Sequence, residues 1–227
     1  MRLYGWFANL GLMTVAAAVL MGFRHDPSAP AFNYLYNAIL FAAYMVIHYV
    51  MLTPRYKKLV TGKPEGSQAE RRVYVAVAIV TWVVVYSTHR PLPGPAITAN
   101  PAMVYVGTCV FLLSFLAFLE GATFESLRGL FGIPGTEQTH SAAAQSPLLT
   151  TGSYASVRHP MYRGATCMCL ASVLVHPNAA QLVWAIAVAA TFILFIPLEE
   201  RQLLRLRGDE YGLYMRVTRY RLVRGIW

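Results

Sequence analysis

Apolar and polar positions fall in long blocks along this chain rather than in short alternating periods. Five apolar blocks run over Leu3–Phe23, Phe32–Leu52, Val73–Thr88, Pro101–Leu119 and Ala179–Leu198. A helix crosses a hydrocarbon core with about 20 apolar residues, and each block reaches or approaches that length. A sixth block, Gly164–Val175, stops at His176-Pro177-Asn178. A helix of that size rises roughly 18 Å, short of a full crossing. With the block after it, it reads as a tight helical hairpin. The alternative is one long helix kinked at Pro177, which lacks a backbone donor and crowds the preceding turn. The pattern predicts an all-α, polytopic membrane bundle of four full spans plus a C-terminal helical hairpin. It divides into a four-span region, residues 1–119, and a C-terminal region, residues 120–227.

Composition agrees with that class. Of 227 residues, 56% are hydrophobic and 13% charged, about half the charge of an ordinary soluble domain. The charges also orient the chain. All but two of the nineteen Lys and Arg fall before the first block, between the second and third, between the fourth and the hairpin, or after the hairpin. The exceptions are Arg24 and Arg90, one in each opposite loop. By the positive-inside rule both termini are cytoplasmic, in a bacterial-type inner membrane. That count holds only if Gly164–Val175 is a separate leg. The net charge of +9 then serves headgroups rather than nucleic acid, and no base-reading or zinc spacing is present. The first block is too long for a signal peptide, although Ala29-Pro30-Ala31 loosely mimics a cleavage site. Cys109, Cys167 and Cys169 lie within apolar blocks and read as packing residues.

Outside the blocks, Thr53–Arg72 is a basic loop and Pro91–Pro95 a short outer turn. Glu120–Tyr162 is the longest non-apolar stretch, with a short helix expected near Glu125–Leu130. Long irregular loops in compact proteins are usually functional or disordered, and this one leads into the densest polar cluster of the chain. The tail from Glu199 mixes leucines with arginines in a broken amphipathic pattern, which composition alone assigns to a basic helix on the headgroups.

Two polar clusters bracket the hairpin. One runs Thr151–Gly164 and holds Tyr154, Arg158, His159, Pro160, Met161 and Tyr162. The other is Glu199-Glu200, followed by Gly208-Asp209-Glu210-Tyr211. Carboxylates abutting an apolar span are costly to desolvate and tend to serve a function. Folding back the hairpin brings its mouths together, so His159, Tyr154, Tyr162, Glu199 and Glu200 are expected to converge on one cytoplasmic pocket. Each has a plainer alternative. His159 can cap the helix that Pro160 opens, the tyrosines can be interface aromatics, and the glutamates can neutralise arginines. The residues alone predict a polar ligand site and no more.

The run Arg158-His159-Pro160-Met161-Tyr162-Arg163-Gly164, with Glu199-Glu200 and Gly208-Asp209-Glu210-Tyr211 after it, resembles the isoprenylcysteine carboxyl methyltransferase superfamily. Its pattern reads R-H-P-x-Y-x-G, then E-E followed by G-x-x-Y. Upstream, Tyr36-Asn37, Ile47-His48, Pro54-Arg55-Tyr56-Lys57, Glu70-Arg71 and Arg90-Pro91-Leu92-Pro93 resemble the nurim and methanethiol S-methyltransferase branch. The likeness extends from about Tyr36 to Arg221 and is strongest from Leu148 onward. It implies a membrane enzyme that binds S-adenosylmethionine from the cytoplasmic side. The cofactor positions it implies are Leu148, Leu149, Tyr154, His159, Pro160, Met161, Tyr162 and Glu199. Glu199 would suit the ammonium, and aromatic or apolar side chains the adenine. Prenylcysteine enzymes carry an arginine four residues before the first glutamate, for a substrate carboxylate. Here Phe195 stands in that place, which favours a neutral acceptor such as a small thiol or a lipid-like molecule. His48 and Glu200 are the candidate catalytic groups. His48 can act as a base or orient the acceptor, or it can simply bond a neighbouring helix. No metal and no obligate protein partner is expected. A nicotinamide-dependent sterol-type reductase and a non-catalytic nurim-like membrane protein are the alternative functions.

Overall fold

The computed structural model describes residues 19–53, 55–56, 59, 68–121 and 148–227. Most of the block Leu3–Phe23, most of the basic loop Thr53–Arg72, and the short helix expected at Glu125–Leu130 lie outside them. Among the described residues the elements are helices: α1 (Phe32–Leu52), α2 (Gln68–Thr88), α3 (Pro101–Gly121), a 3-10 turn (Gly152–Ala155), α4 (Pro160–Val175), α5 (Ala179–Arg207) and α6 (Asp209–Val217). Two isolated bridges, His25 with Leu92 and Ala96 with Asn178, replace any sheet. Phe32–Met51, Pro101–Glu120 and Ala179–Arg207 are long and apolar enough to cross a membrane, and Arg72–Thr88 is a shorter apolar helix.

These helices match the apolar blocks closely, with three differences. Helix α2 begins at Gln68, five residues before the block Val73–Thr88 and inside the stretch expected as a basic loop. Helix α4 begins at Pro160, four residues before the apolar stretch, because proline suits a first turn where its missing N–H has no partner to lose. Helix α5 does not stop with the apolar run at Leu198 but continues to Arg207. Leu, Arg, Gln and Glu are all strong helix formers, so loss of hydropathy there is not loss of helix. Between α4 and α5 the chain leaves helical geometry at His176 (φ −126°, ψ 76°), so these are two helices and not one kinked rod.

The described residues fall into two compact units, one within Met1–Thr98 joined by Pro177–Gln181, the other made of Ala99–Thr123, Ala144–His176 and Leu182–Trp227. In the first, side-chain amides tie down the outer turn. Asn37 donates to the carbonyl of Arg90 and accepts from its N–H, Asn33 donates to the carbonyl of Pro91, and the Arg90 guanidinium lies 4.2 Å over the Tyr36 ring. Tyr36-Asn37 and Arg90–Pro93 thus form one structural clasp. Phe23 N–H donates to Gln181, whose amide donates to the carbonyl of Val19.

The second unit is built on α3 packed antiparallel to α4. The contact is close because a glycine stands at each end of it. A Cβ on Gly164 would lie 2.8 Å from the backbone nitrogen of Phe118, and one on Gly107 would lie 2.8 Å from the Cβ of Leu174. Small residues let helix backbones approach where lipid gives no hydrophobic drive for association.

Candidate functional site

The site lies in the second unit and begins at the turn Thr151–Ser156. Gly152 has φ +61°, a value that side chains disfavour, and it lets the chain enter the 3-10 turn that carries Tyr154. Beyond it Val157, Arg158 and His159 are buried. Their backbone has left the turn, so its N–H groups need partners. Arg158 N–H donates to the carbonyl of Tyr220 (2.8 Å), and His159 N–H to that of Arg221 (2.9 Å). His159 occupies the N-cap position of α4 but its ring makes no capping bond. The ring turns instead to two carboxylates of α5.

Glu200 is the hub. Its Oε1 accepts from Arg158 Nε at 2.7 Å and lies 3.3 Å from His159 Nε2. Its Oε2 accepts from Arg221 Nε at 3.0 Å and Nη2 at 2.9 Å. Arg158 Nη1 also donates to the carbonyls of Thr218 (2.8 Å) and Arg219 (2.6 Å). A buried ion pair repays its desolvation only when further hydrogen bonds satisfy both partners, and here they do.

Glu199 differs from its neighbour. Its Oε2 stands 3.5 Å from His159 Nδ1, an ion-pair contact. That oxygen is buried and, among the described residues, has no hydrogen-bond partner beyond this contact. His159 therefore spans two carboxylates. Burial works against its charged form, but the bonds and charges of Glu199 and Glu200 outweigh burial and raise its pKa above the usual 6.5. Burial and the charge of Glu199 push the Tyr154 phenol up to about 12, so it stays a donor. Tyr162 stacks on the His159 ring (5.6 Å, 11°) and leans on Phe192 (5.3 Å, 35°), continuing the site as an aromatic wall.

Gly208, with φ +53°, turns α5 into α6. That turn brings Tyr211 into a fully buried position, where burial and then the charges of Glu200 and Glu199 hold its pKa well above the usual range. The G-x-x-Y spacing is thus a turn and the buried phenol it delivers.

Residues 103–208 match the family model described as phospholipid methyltransferase. That match covers just under half of the chain. Methanethiol S-methyltransferase 1 of Bradyrhizobium diazoefficiens is 31% identical over 192 residues, which is 78% of this chain and 62% of that protein. The methanethiol S-methyltransferase of Mycobacterium tuberculosis is 26% identical over 185 residues, 79% of this chain and 74% of that one. The chain thus spans less than two thirds of the length of the first relative. No solved structure matches it. The family match bears out the resemblance drawn from Arg158–Gly164 and Glu199-Glu200.

Of the residues singled out from the sequence, Tyr154, His159, Tyr162, Glu199 and Glu200 come together. Pro160 is buried and Met161 half-buried in the first turn of α4, and Leu148 and Leu149 are half-buried on the chain entering the turn. His48 belongs to the first unit, buried on α1. Its Nδ1 faces the Tyr44 carbonyl at 2.9 Å, and its ring packs on Tyr44 and Tyr74. A carbonyl can only accept, so Nδ1 carries the proton and Nε2 the lone pair.

Sequence reasoning assigned no role to Arg158, Thr218 or Arg221. Arg158 had a signal, a charge beside a histidine at the mouth of an apolar helix. Arg221 had none, because it is one of seven arginines after Glu200. The tail does not simply lie along headgroups. Beyond α6 it returns to Arg158 and His159, and it does so outside the residues matched by the family domain.

Proposed function

We propose that this chain is an integral membrane methyltransferase that takes its methyl group from S-adenosylmethionine and passes it to a small, neutral acceptor dissolved in or near the bilayer. The observation that carries the reading is the buried Oε2 of Glu199, a carboxylate oxygen whose one partner among the described residues is the His159 ring at 3.5 Å, beside an aromatic wall. Such an atom is costly unless a donor or cation completes it, and a cofactor with an ammonium group supplies one. The donor set therefore fits the cofactor usual for the family. When bound, that cofactor supplies a methyl group on a positively charged sulfur, transferable without a metal.

The remaining roles belong to the chain. Glu199 holds the ammonium, and His159 keeps its carboxylate in place. Tyr162, with Tyr154, Pro160, Met161, Leu148 and Leu149, gives the adenine and sugar their aromatic and apolar surroundings. Glu200, engaged at both oxygens, fixes His159 and Arg158. His48, with its lone pair on Nε2, takes the proton of an acceptor thiol, which attacks well only as thiolate. Phe195 offers nothing to an acceptor carboxylate, and both relatives above bear the name of a thiol methyltransferase. A small thiol is therefore the acceptor class. The arrangement in the bilayer stays that of four full spans and a C-terminal hairpin with a cytoplasmic pocket and cytoplasmic termini. It is supported by the lysine and arginine distribution and by α4, whose 16 residues rise only about 24 Å.

The test is transfer of a labelled methyl group by protein reconstituted in vesicles, offered methanethiol and a prenylcysteine in parallel. Label on the small thiol alone is expected. Label on prenylcysteine overturns the acceptor class, and label on neither of these nor on any other thiol overturns the reading.

A further inference from the structure

We propose that Thr218–Trp227 is part of the site, with Arg221 as the residue that partly neutralises the Glu200 carboxylate facing His159 and so tunes the proton affinity of that ring. The proposal rests on the reading of His159 and Glu199 as the cofactor site, and it reaches beyond the matched domain, which ends at residue 208.

The segment touches the site at every level. Its carbonyls at 218, 219, 220 and 221 receive two bonds from the Arg158 guanidinium and the backbone N–H groups of Arg158 and His159. The Tyr154 carbonyl accepts from Tyr214 Oη at 2.8 Å and from Thr218 Oγ1 at 3.4 Å, which fixes the turn from the same side. Arg221 is itself held. Its backbone N–H donates to the Trp227 carbonyl at 2.9 Å, and its guanidinium lies 5.2 Å from the centre of the Trp227 ring. Two N–H groups of one guanidinium on one oxygen neutralise part of the Glu200 charge, while Arg158 holds Oε1 where it faces His159. A basic tail serving only headgroups would need neither the bidentate contact nor four aligned carbonyls.

The groups facing the His159 ring are Glu199 and Glu200 from α5 and Tyr162 from α4, while Arg158 and Arg221 reach it through Glu200. Removing the Arg221 charge leaves Glu200 anchored by Arg158 but less neutralised. Its pull on the His159 proton then grows.

The experiment is a ring-proton or ring-nitrogen NMR titration of His159 in the full chain without cofactor, so its outcome is independent of whether S-adenosylmethionine binds. In Arg221→Gln the midpoint is expected to rise by about half a unit or more. In Arg221→Lys, which keeps the charge, it is expected to stay near that of the parent. An unmoved or lowered midpoint in Arg221→Gln, or a lysine variant shifted as far as the glutamine one, overturns the proposal. Should Arg221→Gln not fold, Trp227→Ala carries the test. Without the ring the guanidinium can swing to water, so the midpoint must again rise, and an unmoved midpoint overturns the assignment.

Discussion

Arg158 and Glu200 meet at 2.7 Å across 42 positions of sequence, both side chains almost wholly buried. This pair ties the approach to α4 to the C-terminal half of α5. Because Arg158 also holds the carbonyls of Thr218 and Arg219, it joins three segments at one point. Truncating one partner of such a pair leaves the other charged, buried and uncompensated. Arg158→Ala should therefore lower stability by about 3–5 kcal/mol. Thermal unfolding in detergent reads this directly, and a loss within that of an ordinary surface substitution would deny the pair its structural role.

Gly164 offers a second, independent test, of the α3–α4 packing. The Cβ of Gly164→Ala would meet the backbone of Phe118 at 2.8–2.9 Å, and backbone cannot rotate away. Overpacking of this kind costs about 1–3 kcal/mol. Gly212, on α6 with open space where its Cβ would be, is the control. There alanine should stabilise by roughly 0.5–1 kcal/mol. A comparison of the two melting temperatures checks both signs at once.

His159 predicts a pH dependence. Its pKa in the folded chain is raised above 6.5, burial opposing and the two glutamates prevailing. The folded protein thus binds a proton more tightly than the unfolded chain does. The stability this contributes is complete below 6.5 and is lost as pH climbs through the folded midpoint. Melting temperature should fall over that interval, and His159→Gln should flatten the slope there. An unchanged slope in the variant would assign the titration to another group.

His48 separates binding from turnover. In His48→Gln, S-adenosylmethionine should bind as it does to the parent chain, while the rate with a thiol acceptor drops by about 10²–10⁴ if the ring is a general base. Calorimetry and initial rates on the same preparation measure the two effects. Full activity in the variant would leave His48 as a packing residue of α1.

How much of this was legible in the sequence depends on the kind of signal. The helices at Phe32, Pro101 and Ala179 were readable to within a residue at their starts, because an apolar run bounded by proline, alanine or polar residues changes solvent preference abruptly. The far end of α5 was not. Glu199 to Arg207 is polar and still helical, and hydropathy reports environment rather than backbone. The gathering of Tyr154, His159, Tyr162 and the two glutamates was legible as a convergence at two mouths. The division of labour between Glu199 and Glu200 was not, since adjacent identical side chains on a helix differ only in the direction they face. Arg221 was hidden for a similar reason. Nothing local distinguishes the arginine that reaches Glu200 from the six others in the same tail.

The most direct test of the central claim is calorimetric binding of S-adenosylmethionine, S-adenosylhomocysteine and NADPH to the detergent-purified chain and to Glu199→Gln. The account predicts that the parent binds both sulfur compounds and not NADPH, and that the variant binds S-adenosylmethionine more weakly by about 1.5–3 kcal/mol. Binding of NADPH alone, or equal S-adenosylmethionine affinity in parent and variant, would contradict it.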